Sequence, residues 1–526
     1  MGKIRDSQAA EHLFLILTFC AAMFLFLCNL GNQYLWEDEA ETALISKTVL
    51  QYGIPKGYDG KNFFSQEGWI SYGKDYIWAL DPWLSYYLVA VFFKMFGVST
   101  FTARLPFSLF GVATVILTYF FARSLTGDKK IAGVAASLLV LSVPFLILSR
   151  QCRYYSLVAF FSLLGLYGYI TLLKGRKSGS ILFAVSAILL FHCNHLFCAT
   201  LLATVFIHAV FFHREKLAKV LVSSLTVVLL NLPWLIWFPR AGYVNLYGYR
   251  IFDKEFFVFL YSYLQMIHYF IFPFFLLLVP VVKLIFLWTR HKSIKAVIAE
   301  DTLLWKNLLL LLLFIAVTIV SVSIISPDWF FRYIAQLIPV CCIITAIILT
   351  SAVRPYFKTG IATIAVLLGV FYIADYRYNI IKSNEKGMKY PNFCDYLYEI
   401  THDYDGPIEG IVKYLNEYGS KDDVVAITNG DMPLKFYTSM KVIGGLSGED
   451  LSPAKQAKWV ILRRHTLCEK DVRVRLYLEQ NVPWENYEGI VIDYPDIPWE
   501  NREDPAEHQF RTVVNEIRVV IFRRVK

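Results

Sequence analysis

Apolar residues along this chain gather in long, nearly unbroken runs, the pattern of segments that cross a bilayer. The first run, Leu13–Leu30, is about long enough to span the hydrocarbon core. Further runs at 104–123, 131–149, 153–173, 179–193, 195–212, 217–238, 269–289, 303–325, 331–351 and 359–375 bring the prediction to about eleven spans. Two stretches, Glu41–Tyr52 and Pro82–Phe96, are too short for that and are predicted to lie at the membrane interface. Near residue 376 the pattern changes. Ile408–Tyr418 and Met432–Ser439 read as helices, and Asp423–Thr428, Lys458–Leu462, Gly489–Asp493 and Glu516–Arg523 as short strands. The expected organisation is a transmembrane domain at 1–376, with a first external loop at 31–103, followed by a soluble α/β domain at 377–526.

Composition agrees with a polytopic α-helical membrane protein: 526 residues, 56% hydrophobic and 17% aromatic. The net charge of +9 suggests nucleic acid only until its distribution is considered. Basic residues cluster in alternate connections: Arg123/Lys129/Lys130, Lys174/Arg176/Lys177, Arg214/Lys216/Lys219, Arg290/Lys292/Lys295 and Arg354/Lys358. If Pro82–Phe96 does not cross, all five fall on the side of Lys3 and Arg5, which the positive-inside rule makes cytoplasmic. An odd number of spans then puts the C-terminal domain outside, as in a multi-pass plasma (bacterial inner) membrane protein with a cytoplasmic N-terminus. Lys3, Arg5 and the run after them resemble a signal peptide, but the run is long and lacks a small-residue cleavage site, so it reads as an uncleaved anchor. Of nine cysteines, Cys152, Cys193, Cys198, Cys341 and Cys342 lie in or beside apolar runs and read as small buried hydrophobes, whereas Cys394 and Cys468 are free to pair if exported.

The opposite, external face collects the unusual polar motifs. It receives W-E-D-E at Trp36–Glu39, the loop 61–81, R-Q-C-R-Y-Y at Arg150–Tyr155, H-C-N-H at His192–His195, the aromatic loop 239–268 and D-W-F-F-R-Y at Asp328–Tyr333. Carboxylates and arginines at one membrane face suit a cavity or an active site. Each motif also has a plainer reading. W-E-D-E suits the acidic first turn of a helix, Arg332 a snorkelling side chain, and Tyr154, Tyr155 and Tyr333 an aromatic belt. His192 and His195 suit a hydrogen-bonded polar contact better than a metal site. No GxGxxG or P-loop is present.

The run L-W-E-D-E-A-E-T-A-L-I-S-K-T-V-L-Q-Y-G resembles the first external loop of the family 39 type membrane glycosyltransferases, which include protein O-mannosyltransferases and the bacterial aminoarabinose transferase acting on lipid A. The likeness continues through D-P-W-L-S-Y-Y-L-V-A-V-F-F-K-M-F-G-V-S-T-F-T-A-R-L-P-F-S-L-F-G, S-R-Q-C-R-Y-Y-S-L and F-F-R-Y-I-A-Q-L-I-P, roughly residues 10–350. It implies a GT-C fold with two interfacial helices, a polyprenyl- or dolichyl-phosphate sugar as donor, and Asp38 as principal catalytic carboxylate. One departure is Asp81-Pro82, where related bacterial sequences often carry a basic residue; Lys74 or Arg153 would then supply the donor-phosphate contact.

The expected function is therefore a glycosyltransferase of the EC 2.4 type, moving a sugar from a polyprenyl-phosphate donor to an envelope glycolipid, polysaccharide or protein. Its partners are that donor, membrane lipids and the acceptor, with no nucleic acid, no cofactor and no metal. Asp38 would act as base with Glu39 supporting it. Arg153, Arg150, Arg332 and Lys74 are the candidate phosphate ligands, and Tyr155, Tyr333, His195 and Asp81 the candidate substrate contacts. The alternatives are a lipid-linked saccharide transporter or flippase, a non-catalytic membrane scaffold, and a transferase using a diphosphate-linked donor.

Overall fold

The computed structural model describes residues 2–65, 72–237, 249–281, 302–352, 393–446, 449–466, 468–497, 504–505, 507–513 and 517–526. Its N-terminal part is a helical bundle. Helix α1 (Gly2–Leu27) is followed by α2 (Glu37–Tyr52) and α3 (Leu84–Phe96), the two elements predicted to be interfacial. Gly53 ends α2 at φ +76, a left-handed conformation that suits glycine, and its N–H bonds Val49 O. Helix α4 (Thr100–Thr126) opens with a reciprocal capping box between Ser99 and Thr102.

The predicted span 131–149 is broken. Helices α5 (Lys129–Val140) and α6 (Val143–Ser149) meet at a 62° bend, because Pro144 in the first turn of α6 has no N–H to continue α5. A turn at 150–154 then leads to α7 (Tyr155–Leu173), followed by α8 (Lys177–Phe191), α9 (His195–Phe212) and α10 (Leu217–Trp237). Helices α7 and α8 approach closely through glycines: a Cβ on Gly168 would lie 2.6 Å from Phe183 N, and one on Gly179 2.2 Å from Leu172 N.

Residues 254–266 were expected in the aromatic loop 239–268 but form helix α11 (Lys254–Met266). Asp253 Oδ1 caps Phe256 N at 2.8 Å, while Phe256, Phe259 and Tyr263 recur at helical spacing on the buried face. The chain bends by 85° before Phe274, at Pro273, so the predicted span 269–289 does not run straight. Helices α12 (Thr302–Ile325) and α13 (Leu337–Ala352) complete the described bundle. Among the described residues six helices are long and apolar enough to cross a membrane, or eight segments if each bent pair is one span. Helices α8 and α13 are shorter. The predicted span 359–375 and the basic clusters Arg290/Lys292/Lys295 and Arg354/Lys358 lie outside the described residues.

The two ends of α1 meet different chemistry. Near its start, Glu11 pairs with Arg123 and, at 2.6 Å, with Lys129, two residues of a predicted cytoplasmic cluster. In its last turn and just beyond it, the carbonyls of Leu25, Phe26, Cys28 and Asn29 accept hydrogen bonds from Arg150.

The C-terminal part is an α/β unit. Its sheet has the order β2-β1-β3-β5-β4, with strands β1 (Val424–Ile427), β2 (Lys441–Ile443), β3 (Trp459–Ile461), β4 (Tyr487–Pro495) and β5 (Arg518–Arg524). Strand β1 pairs parallel with β2 and β3, while β5 is antiparallel to β3 and β4. Both faces of β1 are covered. Val425 and Ile427 pack with Ile411, Leu415 and Leu434, and Ala426 packs with Val460, Val474 and Leu478. Four helices accompany the sheet: α14 (Phe393–Glu399), α15 (Pro407–Tyr418), α16 (Asp431–Tyr437) and α17 (Glu469–Asn481). Strand β2 and α17 were not anticipated. Helix α17 buries only Asp471, Val474 and Leu478, and its V-R-V-R-L-Y-L alternation imitates a strand. Cys394 lies in α14 and Cys468 immediately before α17, and among the described residues no disulfide joins them. The five cysteines of the apolar segments are buried.

The unit is fastened to the bundle at several points. Tyr396 Oη donates to Leu25 O at 2.6 Å, and Asn32 Nδ2 to His402 O at 2.8 Å. In the first loop, Asn62 Oδ1 accepts from Val442 N at 2.9 Å while its Nδ2 donates to Met440 O at 3.1 Å; Lys61 Nζ reaches Lys421 O and Ser439 O at 2.6 and 2.7 Å. The edge of β2 therefore ends on side chains of the first loop.

Candidate active site

Three consecutive carboxylates occupy the first turn of α2, where the partial positive charge of the helix terminus favours them. Successive helical residues are rotated by about 100°, so the three point in different directions. Glu37 Oε1 turns to the C-terminal unit, accepting from Gly430 N at 2.7 Å. Glu39 turns into the bundle and is fully buried. Its Oε1 and Oε2 take a two-pronged contact from Arg104 Nε and Nη2 at 2.8 and 2.7 Å, and Cys152 N donates to Oε1 at 2.6 Å. Arg104 Nη1 also donates to Leu30 O and Gln33 O, so α2, α4, the end of α1 and the turn before α7 meet at this pair.

Asp38 turns between two arginines. Its Oδ2 lies 2.9 Å from Arg332 Nη1 and 3.8 Å from Arg153 Nη2. Arg332 is carried by a short turn, Phe331–Ile334, with its guanidinium 4.2 Å from the Phe330 ring centre. Arg153 sits in the turn between α6 and α7. Its Nη1 donates to Thr42 Oγ1 at 3.0 Å and Asp38 O at 3.2 Å, and lies 3.8 Å from Glu41 Oε1. Among the described residues Arg153 Nε is buried with no hydrogen-bond partner. Burial opposes the charge on Arg153, but Asp38, Asp81 and Glu41 overcome it and hold the guanidinium protonated beyond its ordinary range.

Asp81 belongs to the same cluster. Burial pushes its carboxyl up and nearby Asp38 adds to this, against Arg153, Arg332 and the Tyr86 hydroxyl, which lies 3.4 Å from Asp81 Oδ2. Tyr333 completes the group; burial raises its phenol, and Asp38 and Asp81 act on it in the same sense against Arg332. The structure thus brings Asp38, Asp81, Arg153, Arg332 and Tyr333 into one electrostatic cluster. Tyr155 is buried in the first turn of α7, close enough to influence Arg153.

Other expected residues lie elsewhere. Arg150, expected to bind phosphate, is committed to the carbonyl end of α1 and sits 5.9 Å from the Tyr396 ring centre. His195 Nε2 accepts from Trp234 Nε1 at 2.9 Å, in an aromatic group with Phe191 and Trp83. Lys74 falls in the turn Lys74–Tyr76, and its side chain is outside the described residues. Among the described residues no group of three His, Cys, Asp or Glu is placed to hold a metal ion. Arg104, Glu41 and Thr42 were not singled out from the sequence. A signal for each was available: an arginine inside an apolar helix, and an acid and a hydroxyl three and four residues after Asp38 on one helical face.

Residues 81–237 match the family described as dolichyl-phosphate-mannose-protein mannosyltransferase. A protein of Aquifex aeolicus (strain VF5), described as uncharacterized, is 28% identical over 155 residues, which is 29% of this chain and only 28% of that protein's length. Among solved structures, ArnT from Cupriavidus metallidurans bound to undecaprenyl phosphate superposes with a TM-score of 0.59 at 13% identity, covering 96% of this chain and 97% of that one. The apo state of the same protein gives 0.58 at 13% identity, over 98% and 99%. At that identity the likeness establishes the fold, and it extends over nearly the whole chain. The resemblance to the GT-C membrane glycosyltransferases thus holds for the fold, and the chain is a membrane protein of that architecture.

Proposed function

From a GT-C fold with a carboxylate held between two arginines, we propose that this chain transfers a sugar from a polyprenyl-phosphate donor to an envelope glycolipid, polysaccharide or protein. The observation that carries the reading is Asp38, 2.9 Å from Arg332 and 3.8 Å from Arg153. The ArnT structure bound to undecaprenyl phosphate supports a lipid-phosphate donor.

In the proposed step, an acceptor hydroxyl oxygen attacks the anomeric carbon while the bond from that carbon to the phosphate oxygen breaks. The hydroxyl proton passes to Asp38, and the electron pair of the broken bond leaves with the polyprenyl phosphate. Arg153 and Arg332 neutralise the charge that builds on the phosphate. Arg332 spends its ion pair on Asp38 until the donor arrives. Phosphate binding then draws the guanidinium away and leaves the carboxylate free to accept a proton. Arg153 Nε, which has no partner among the described residues, is a second donor for a phosphate oxygen. Glu39 and Arg104 fix the helix that carries Asp38. The site faces outward, the N-terminus is cytoplasmic, and the C-terminal unit is exported and selects the acceptor.

Undecaprenyl phosphate titrated into the detergent-solubilised full chain tests the donor assignment. Loss of a charge-assisted hydrogen bond in Arg153→Ala or Arg332→Ala is expected to weaken binding by about 10–100-fold. Unchanged affinity in both variants would remove the phosphate role.

A further inference from the structure

The first turn of α2 joins two electrostatic clusters that belong to different parts of the molecule. On one side is Asp38 with Arg332 and Arg153. On the other, Glu37 Oε1 and Oε2 accept from Gly430 N and Met432 N at 2.7 and 3.3 Å. Those amides lie just past the end of β1. With the order β2-β1-β3, the chain leaves β1 in one direction to form β2 and returns past it to form β3. The carboxyl ends of β1 and β3 therefore flank the point where strand order reverses, which is where open α/β sheets take their ligands. Here a side chain of α2 occupies that place.

The surroundings form a built socket. Asp431 and Lys435 of α16 are fully buried and paired at 2.6 Å, and Lys470 of α17 pairs with the other oxygen of Asp431. Asn429 Nδ2 donates to Asp471 Oδ2 at 3.1 Å. Gly444 lets Asp431 in, since a Cβ there would lie 2.1 Å from the Asp431 carboxyl carbon. The far end of α16 is anchored too. Tyr437 Oη accepts from Leu35 N at 2.9 Å, and its ring stacks on Tyr34 at 4.3 Å. Trp36, at the N-cap of α2, supplies no side-chain cap, so tertiary contacts order this first turn.

We propose that Glu37 is a positioning residue, through which the C-terminal unit grips α2 and sets Asp38 between its two arginines. This rests on the role of Asp38 argued above. Glu37 and Asp38 are consecutive, so any rotation or fraying of the turn that frees one carboxylate displaces the other.

The grip is pH-dependent. Burial first, then Asp431, pushes the Glu37 carboxyl up to about 7, against Lys470, the Gly430 amide and Lys435. The other charged groups facing this socket are Asp471 of α17 and Arg463 beyond β3, the latter paired with Asp496 at 2.6 Å. An acid whose docked value is raised binds a proton on docking. The grip is therefore strongest below the ordinary carboxylate range and weakens as pH rises through about 7.

Amide hydrogen exchange on the full chain at pH 6 and pH 8 tests the proposal. Glu37→Ala should speed exchange about tenfold both in 430–438 and in 36–42, the loss expected of one such hydrogen bond. Glu37→Gln keeps an acceptor but cannot ionise. It should hold protection close to wild type and remove the difference between the two pH values. Faster exchange in 430–438 with none in 36–42 overturns the coupling, as does no change in either. Undecaprenyl phosphate, used as probe, separates the two readings: if it protects nothing in 36–42 while Glu37→Ala loosens both segments, the grip stands and the donor site fails.

Discussion

Replacing Asp38 by asparagine is expected to cut turnover by roughly 10²–10⁴-fold, the range for a positioned general base. Asparagine keeps the shape of the side chain and an oxygen for Arg332 Nη1, which lies 2.9 Å from Asp38 Oδ2, so the two arginines stay near their places. What it loses is the ability to take a proton. Undecaprenyl phosphate affinity should hold or rise, because Arg332 is no longer engaged by a full negative charge. Mass analysis of glycolipid and protein acceptors in membranes carrying each variant gives the turnover. Equal, modest losses for Asp38→Asn and Glu39→Gln in well-folded protein would reduce W-E-D-E to the acidic turn of a helix.

The second large effect is on stability. Arg104→Ala should destabilise the protein by about 3–5 kcal/mol, because it leaves the fully buried Glu39 carboxylate without its counter-charge. Joint replacement by apolar residues of similar volume, Arg104→Met with Glu39→Leu, should recover much of that loss. Thermal unfolding of the purified variants measures both. A small loss for Arg104→Ala would mean that water or another group compensates Glu39. Together the two experiments separate adjacent acids by kind: one change lowers rate in a stable protein, the other lowers stability first.

The sequence was most legible where chemistry and periodicity agreed. Helices α2 and α3 follow from apolar stretches too short to cross, and β1, β3 and β4 from short apolar runs bounded by polar turns. The site was half legible. Asp38, Arg153 and Arg332 stand out as charges beside spans, but which of Glu37, Asp38 and Glu39 faces the site depends on rotation about α2, and tertiary contact sets that rotation. Arg150 was misleading for a related reason. It lies three residues before Arg153, and the end of α6 turns it toward the carbonyls of α1. Long-range partners such as Gly430 for Glu37 leave no local trace in the sequence.

Strand β2 has one consequence for how the chain is assembled. A sheet edge with open N–H and C=O groups is a template for pairing with another molecule. Here Asn62 satisfies Val442 N and Met440 O from outside the sheet, standing in for a sixth strand. Asn62 precedes Val442 by 380 residues and Met440 by 378, so it is made long before the edge it covers. Synthesis from the N-terminus means the cover is waiting when the sheet forms. Residues 393–526 produced alone lack it and should self-associate through β2, to sizes above a monomer by light scattering, whereas a charge or proline at Val442 should keep them apart. The first loop is in this sense the chaperone of its own C-terminal domain.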